Sequence, residues 1–410
     1  MNVLKRLKLR QLTQADLGKR EINQLSKIEK SMKFVISILA FTLLCVSCNN
    51  SRPKEVGSSS VNQDSIQVKQ PELPPLEAGE VEYKDESMFG EIIELEGRQI
   101  IPADSFIFQP REPKMVVKGN RLVMKVFSFG KDAHPYLIFN YPEMTFVEAK
   151  GTVGPGPEEF RFPDIIPTKD STLLCYLMET TDEKMYQLDL DGNIIPYSFP
   201  MKSSIQQDIS QKSDIYNLKK DDFIYIDHSS TGKSIMHSYR VQDSICSREI
   251  YSLQLNPTIK SPYAYGGFFA VNPEKNRMVY IYQYFSVLKF MDMDATSVKT
   301  IKYNLKKFDG RTLRMADGLD KNVTYFWGIS GGDDYVYCVY SGRTPAETAR
   351  ECGEGNTYMY VEQYDWNGNP IRKYKLIDFL GQIYVDEKRK IILGLTPFLD
   401  DPFVEFKLPE

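Results

Sequence analysis

The sequence predicts an all-β protein, a six-bladed β-propeller of four-stranded blades whose last blade is closed by an amino-terminal strand. Three observations point there. A unit of alternating strand, short turn and second alternating strand recurs at intervals near 50 residues. Helical periodicity is absent from the region that carries it. Aromatics make up 12% of the chain, with 25 Tyr and 23 Phe but 2 Trp, and such side chains favour pleated, half-buried surfaces.

The copies are YLIFNYPEMTFVEA (136–149), KMYQLDLDGNIIPYSF (184–199), IMHSYRVQDSICSREI (235–250), SVLKFMDMDATSVKTIKY (286–303), MYVEQYDWNGNPIRKYKL (359–376) and the truncated FVEFKL (403–408). Their equivalent apolar positions are Phe139, Leu188, Tyr239, Phe290, Tyr364 and Phe406, spaced by 49, 51, 51, 74 and 42 residues. Strand pairs returning at such a period are the mark of propeller blades. Further strands precede each hairpin, among them RLVMKVF (121–127), TLLCYLM (172–178) and DYVYCVY (334–340), giving about four strands per blade. The final repeat stops at Glu410 just after its third strand. A missing outer strand would leave an exposed edge and an open ring. The segment GEIIELEG (90–97) has strand character and is expected to supply it. A two-domain β-sandwich with accidental spacing is the competing reading.

Upstream, Phe34–Val46 is an apolar run preceded by Met32-Lys33. As a helix it covers about 20 Å, short of the roughly 30 Å hydrocarbon core of a bilayer. A basic start, a short apolar core and then small residues describe a secretory signal peptide. Its end, Leu44-Cys45-Val46-Ser47-Cys48, resembles the lipobox of bacterial lipoproteins, with Cys45 standing where that motif prefers Leu. The resemblance implies that Cys48 is diacylated and becomes the new amino terminus. The expected division is therefore a misassigned start or extension over 1–31, a signal peptide over 32–47, a tether over 48–85 and the propeller over 86–410. The tether is rich in Ser, Pro, Gln and Glu, a composition that buries too little apolar surface to order itself. About 35 such residues reach roughly 30–35 Å. Within it, Asp64-Ser65-Ile66 resembles the D-[ST]-aliphatic O-glycosylation motif of the Bacteroidota. Lipoproteins of that group exported to the cell surface often carry an acidic run just after the cysteine, which Asn49–Lys54 lacks. The outer membrane, on its periplasmic side, is the favoured location.

The net charge of −4 hides an asymmetry. Residues 1–47 hold nine Lys/Arg and three Asp/Glu, so the chain from Cys48 onward carries −10. An acidic body gains nothing from neutralising phosphates, which argues against nucleic acid as a partner.

At Gly151-Thr152-Val153-Gly154-Pro155-Gly156-Pro157-Glu158-Glu159-Phe160 the sequence is similar to the G-x-x-G-x-G-P-x-E-F segment of the TolB-like six-bladed propeller lipoproteins of the Bacteroidota. FAVNPEKNRMVYIYQYFSVLKFMD (269–292) and IYVDEKRKIILGL (383–395) add to a resemblance that spans roughly residues 85–410. Pro155 departs from it, many members having a basic residue there. The resemblance implies a fold and an envelope location, and it brings no reaction, cofactor or catalytic residue.

In a propeller, loops joining the second and third strands of a blade share a face with the connections between blades. That loop face is the candidate binding surface, since long loops on a rigid scaffold are where binding usually sits. Its candidate residues are Gly154, Gly156, Glu158 and Glu159 in the GPGPEEF connection, His134, His228, Asp309, Arg311, and Arg343 in the long 341–357 loop. Gly154, Gly156 and Glu158 would form either a backbone nest for an anion or a tight turn with glycine at positive φ. Asp189–Asn193 and Asp365–Asn369 mimic the opening of a calcium loop. Pro200 and Leu376 occupy the twelfth position where a glutamate is needed, so hairpin turns are the expectation. With three histidines and no metal-ligand spacing, neither a metal nor a cofactor is expected. Cys338 and Cys352 flank the long loop and would staple it as a disulfide, while Cys175 and Cys246 look like buried strand thiols. The leading function is a non-catalytic envelope module binding a protein, peptide or glycan. The alternative is a lactonase- or lyase-like enzyme working in the central channel, which fold alone does not exclude. Metabolic labelling with a palmitate analogue should mark the wild-type chain and leave Cys48→Ala unmarked; equal labelling of the two would remove the lipid anchor.

Overall fold

The computed structural model describes residues 73–410, apart from 84–85, 103–113, 127–133, 181–183, 198–211, 229–233, 243, 257, 260–261, 304–314, 317–318 and 397–400. Among the described residues six sheets of four or five strands follow one another along the chain, and a separate pair of two-residue strands, Met315–Ala316 and Leu319–Asp320, lies between the fourth and the fifth. Their innermost strands are Lys114–Lys118, Pro163–Pro167, Lys212–Lys219, Gly267–Asn272, Thr324–Gly331 and Gln382–Asp386, and these sheets are blades 1 to 6 in that order.

Each blade runs antiparallel through four strands, so second and third strands are paired on both edges. They are packed on both faces as well. The second strand of blade 2, Leu173–Glu179, is buried at every position. Alternate residues of a strand point to opposite faces, and here each face meets a neighbouring blade. Leu122 and Met124 enter the core shared with blade 6, whereas Val123 enters the core shared with blade 2. Six apolar clusters result, one at each blade-to-blade interface. The repeat positions Phe139, Leu188, Phe290, Tyr364 and Phe406 lie on third strands and are fully buried.

The ring closes through the amino-terminal side of the chain, by a different segment from the one the sequence suggested. β1 (Gly79–Tyr83) adds in parallel to the outer strand of blade 4, Val298–Tyr303. β2 (Ile93–Leu95) adds in parallel to the outer strand of blade 5, Pro370–Leu376. β3 (Arg98–Ile100) pairs antiparallel with Phe403–Lys407 and is the outer strand of blade 6. The apolar 90–97 segment thus covers blade 5, where Leu95 joins the blade 5–6 core. The polar triplet after it makes the closure, with Arg98 paired to Glu405 at 3.0 Å. Gly97 lets the strap turn between these tasks, because a Cβ there would lie 2.5 Å from the Val404 side chain. Residues 73–83, assigned to the tether by the sequence, lie against blades 4 and 5. Leu76 is buried between blades 4 and 5, its carbonyl accepting from Ser297, and the Pro74 carbonyl accepts from Arg277.

The strap also seals a charged pair. Lys373 and Glu362, on neighbouring strands of blade 5, are 3.0 Å apart and both side chains are 1% exposed. Glu86 on the strap binds the same ammonium, which lies over the rings of Tyr340 and Tyr360. Burial pushes the Glu362 carboxyl up, and the Lys373 charge pulls it back. Removing one member of a buried pair strands the other charge, whereas replacing both removes the desolvation cost. Lys373→Ala should lose about 3–5 kcal/mol in urea unfolding, and the Glu362→Gln, Lys373→Met double variant should recover most of it.

Candidate functional site

The six inner strands surround a channel of about 840 Å³. Acidic and basic side chains line it together, and most are engaged across blade boundaries. Asp164 of blade 2 accepts from Lys114 of blade 1 at 3.0 Å and lies 3.9 Å from Lys125. The two lysines hold its carboxyl below the usual range against the cost of burial. Asp386 of blade 6 accepts from Tyr141 of blade 1 and from Arg389. Glu387 receives the backbone N–H groups of Asp334 and Tyr335 in blade 5, at 2.8 and 2.9 Å. Gln382 exchanges two hydrogen bonds with the backbone of Met115, tying the last blade to the first. Trp327 lines the channel from a bulge in the inner strand of blade 5 and packs edge-on against Phe379. Among the described residues no three His, Cys, Asp or Glu side chains gather as a metal-ligand set. No helix there is long and apolar enough to cross a membrane.

On the loop face the structure brings three of the candidate residues together. His134, Glu158 and Glu159 surround a hollow between the outer strand of blade 1 and the 151–162 connection. His134 hydrogen-bonds the Gly151 carbonyl at 2.7 Å. The Glu159 carboxylate folds back onto the Gly156 N–H at 2.6 Å, so the nest that an external anion would fill is taken by the chain itself. At Gly154 the backbone φ is not positive, and what glycine leaves is room for the Glu159 carboxylate, which a side chain there would push off the Gly156 N–H. A Cβ at Gly154 would stand 2.2 Å from Glu159 Oε2. Positive φ falls instead on Gly151 and on Glu158, whose N–H donates to the Tyr186 hydroxyl. Phe160, at the end of this motif, is buried against Tyr136.

The other candidates lie apart. Arg343 ends the second strand of blade 5 and holds the insertion that follows, donating to Glu351 and to the Tyr358 carbonyl with its guanidinium stacked on the Tyr358 ring at 4.0 Å. That insertion contains α1 (Pro345–Gly353), where the sequence reading placed a loop. The missed signal is Thr344-Pro345-Ala346-Glu347, a capping box with proline at the first helical position. His228 closes the second strand of blade 3. Asp309 and Arg311 lie outside the described residues, as do Cys48 and Asp64.

The expected disulfide is not formed. Cys338 is a free thiol buried in the blade 4–5 core, whereas Cys352 is free on α1 against the blade 5–6 core. Strand alternation sends Cys338 to one face of the blade, and Cys352 packs on the other. Cys175 is a buried free thiol. The calcium-like segments are turns. Asp189 accepts from the N–H groups of Asp191 and Asn193, and Asp365 does the same for Asn367 and Asn369.

The sequence profile of the family described as TolB-like 6-blade propeller-like matches residues 92–388. The chain belongs to that family. Two solved structures of similar fold come from Bacteroides. A member of the DUF4221 family from B. vulgatus is 13% identical, with a TM-score of 0.50, over 76% of this chain and 95% of that one. A protein described as exported, from B. fragilis, is 10% identical, with a TM-score of 0.49, over 81% and 99%. The virginiamycin B lyase of Staphylococcus aureus superimposes less well, at 13% identity and a TM-score of 0.39 over 77% and 89%. No curated protein matches the sequence. At these identities the likeness concerns the fold of this TolB-like propeller alone.

The Glu159 bond and the space at Gly154 are one device. Gly154→Ala and Glu159→Ala should each cost about 1–2 kcal/mol in urea unfolding, and the double variant should cost little more than the larger single.

Proposed function

We propose that this TolB-like propeller is a lipid-anchored envelope protein, attached through Cys48 on the periplasmic side of the outer membrane. It works as a non-catalytic binding or scaffold module for a protein, peptide or glycan through its loop face. The observation that carries this reading is the blade 5 insertion. A capped helix is held rigidly on that face by Arg343, through Glu351, the Tyr358 carbonyl and the Tyr358 ring. Rigid presentation lowers the ordering cost of binding. The channel supports the enzyme alternative less well, because Asp164, Asp386 and Glu387 are committed to interblade bonds.

Photo-crosslinking in cells tests the proposal. A crosslinker at Glu354, just past α1, should trap a discrete envelope partner, and one at Lys388, on the opposite face, should not. Equal trapping from both sites, or none from Glu354, would remove the loop face as the binding surface.

A further inference from the structure

Six cationic side chains line the channel: Lys114, Lys118, Lys125, Lys169, Lys388 and Arg389. Four of them have a carboxylate within 4 Å. Lys114 and Lys125 share Asp164, Lys388 faces Asp333 at 3.6 Å, and Arg389 binds Asp386. Lys118 and Lys169 have none among the described residues, they stand on adjacent blades, and each ammonium feels the other's charge. Lys118 ends the inner strand of blade 1, and Lys169 stands in the turn after the inner strand of blade 2. Both lie at the mouth opposite the loop face.

Interblade bonding accounts for part of this. The Lys118 ammonium donates to the carbonyls of Thr168 at 3.2 Å and of Asp170. Carbonyls bear partial charge only, and the Asp170 carboxylate is taken by Thr172 and by the Lys220 N–H. Among the described residues no hydrogen bond engages the Lys169 ammonium; Asp333 and Glu274 act on it at longer range. Burial pushes Lys118 down to about 8; Asp170 opposes this and the Lys169 charge adds to it. Lys169 is lowered by burial as well. The mouth is open beside them, since nothing lies within 4 Å of where a Cβ on Gly119 would be.

Two like charges with no carboxylate in contact, in an open cavity, are stabilised by an anion placed between them. We propose that Lys118 and Lys169 form an oxyanion site at this mouth, taking the phosphate or carboxylate group of a small ligand held in the channel. The site is independent of the loop face and of the lipid anchor.

Calorimetric titration of the full chain with inorganic phosphate and, separately, with succinate tests it at low ionic strength. At about pH 7, at least one of the two should bind saturably, and Lys169→Met should weaken it at least about tenfold. That substitution removes no hydrogen bond from the fold, and an unchanged circular dichroism spectrum confirms its integrity. Binding should also weaken towards about pH 9.5, as Lys118 loses its proton. Phosphate alone binding assigns a phosphorylated ligand, and succinate alone a carboxylate. No saturation by either anion up to about 50 mM, or equal affinity in Lys169→Met, overturns the site.

Discussion

The antiparallel pairing of Arg98–Ile100 with Phe403–Lys407 is three residues long, and the remainder of the architecture depends on it. Without it blade 6 has three strands from its own segment, and the ring carries an unpaired edge at the place where its ends should meet. Closure gives every blade a neighbour on both faces, so six apolar cores share one axis. It also sorts the connections. Once the inner strands all run the same way about the axis, interblade connections and second-to-third-strand loops fall on one face and the short turns on the other. The separation of the hollow near Glu158 from the lysines at the opposite mouth follows from this.

Reinforcement comes from the strap that precedes β3. It covers two further outer edges in parallel and seals Glu362 and Lys373 under Glu86. The pair is surrounded by phenol rings, with the Tyr364 hydroxyl donating to Glu362 and bonded in turn to that of Tyr303. Buried charges of this kind contribute little net stability, because desolvation offsets attraction. They penalise alternatives, since a strap docked out of register would leave Glu362 and Lys373 without Glu86.

The blades were legible in the sequence because third strands repeat an apolar residue at a fixed place and second strands have apolar centres. Residues such as Phe139 and Leu188 have one environment in every blade. The strap was less legible. Gly79–Tyr83 reads GEVEY, an edge strand with glutamates outward, which resembles tether by composition. The closing triplet Arg98-Gln99-Ile100 is more polar than the 90–97 segment beside it, so the stronger apolar signal drew the closure a few residues too early. In the candidate site, the GPGPEEF motif marked a real structural feature, but its partner is Glu159 of the same motif, which spacing alone does not reveal. Lys118 and Lys169 lie 51 residues apart and come to the same mouth of the channel because successive inner strands stand side by side around the axis, a relation that appears only once the blade boundaries are known.

The strap has a mechanical polarity. The chain enters at the seam of blades 4 and 5, where Arg277 and Ser297 hold the carbonyls of Pro74 and Leu76, and then visits blades 4, 5 and 6 in turn. A pull from the amino-terminal side therefore meets β1 first, β2 next and the closing strand last. Two accessory strands must come away before the ring itself feels the load, so the propeller is insulated from traction by elements that it does not need for closure.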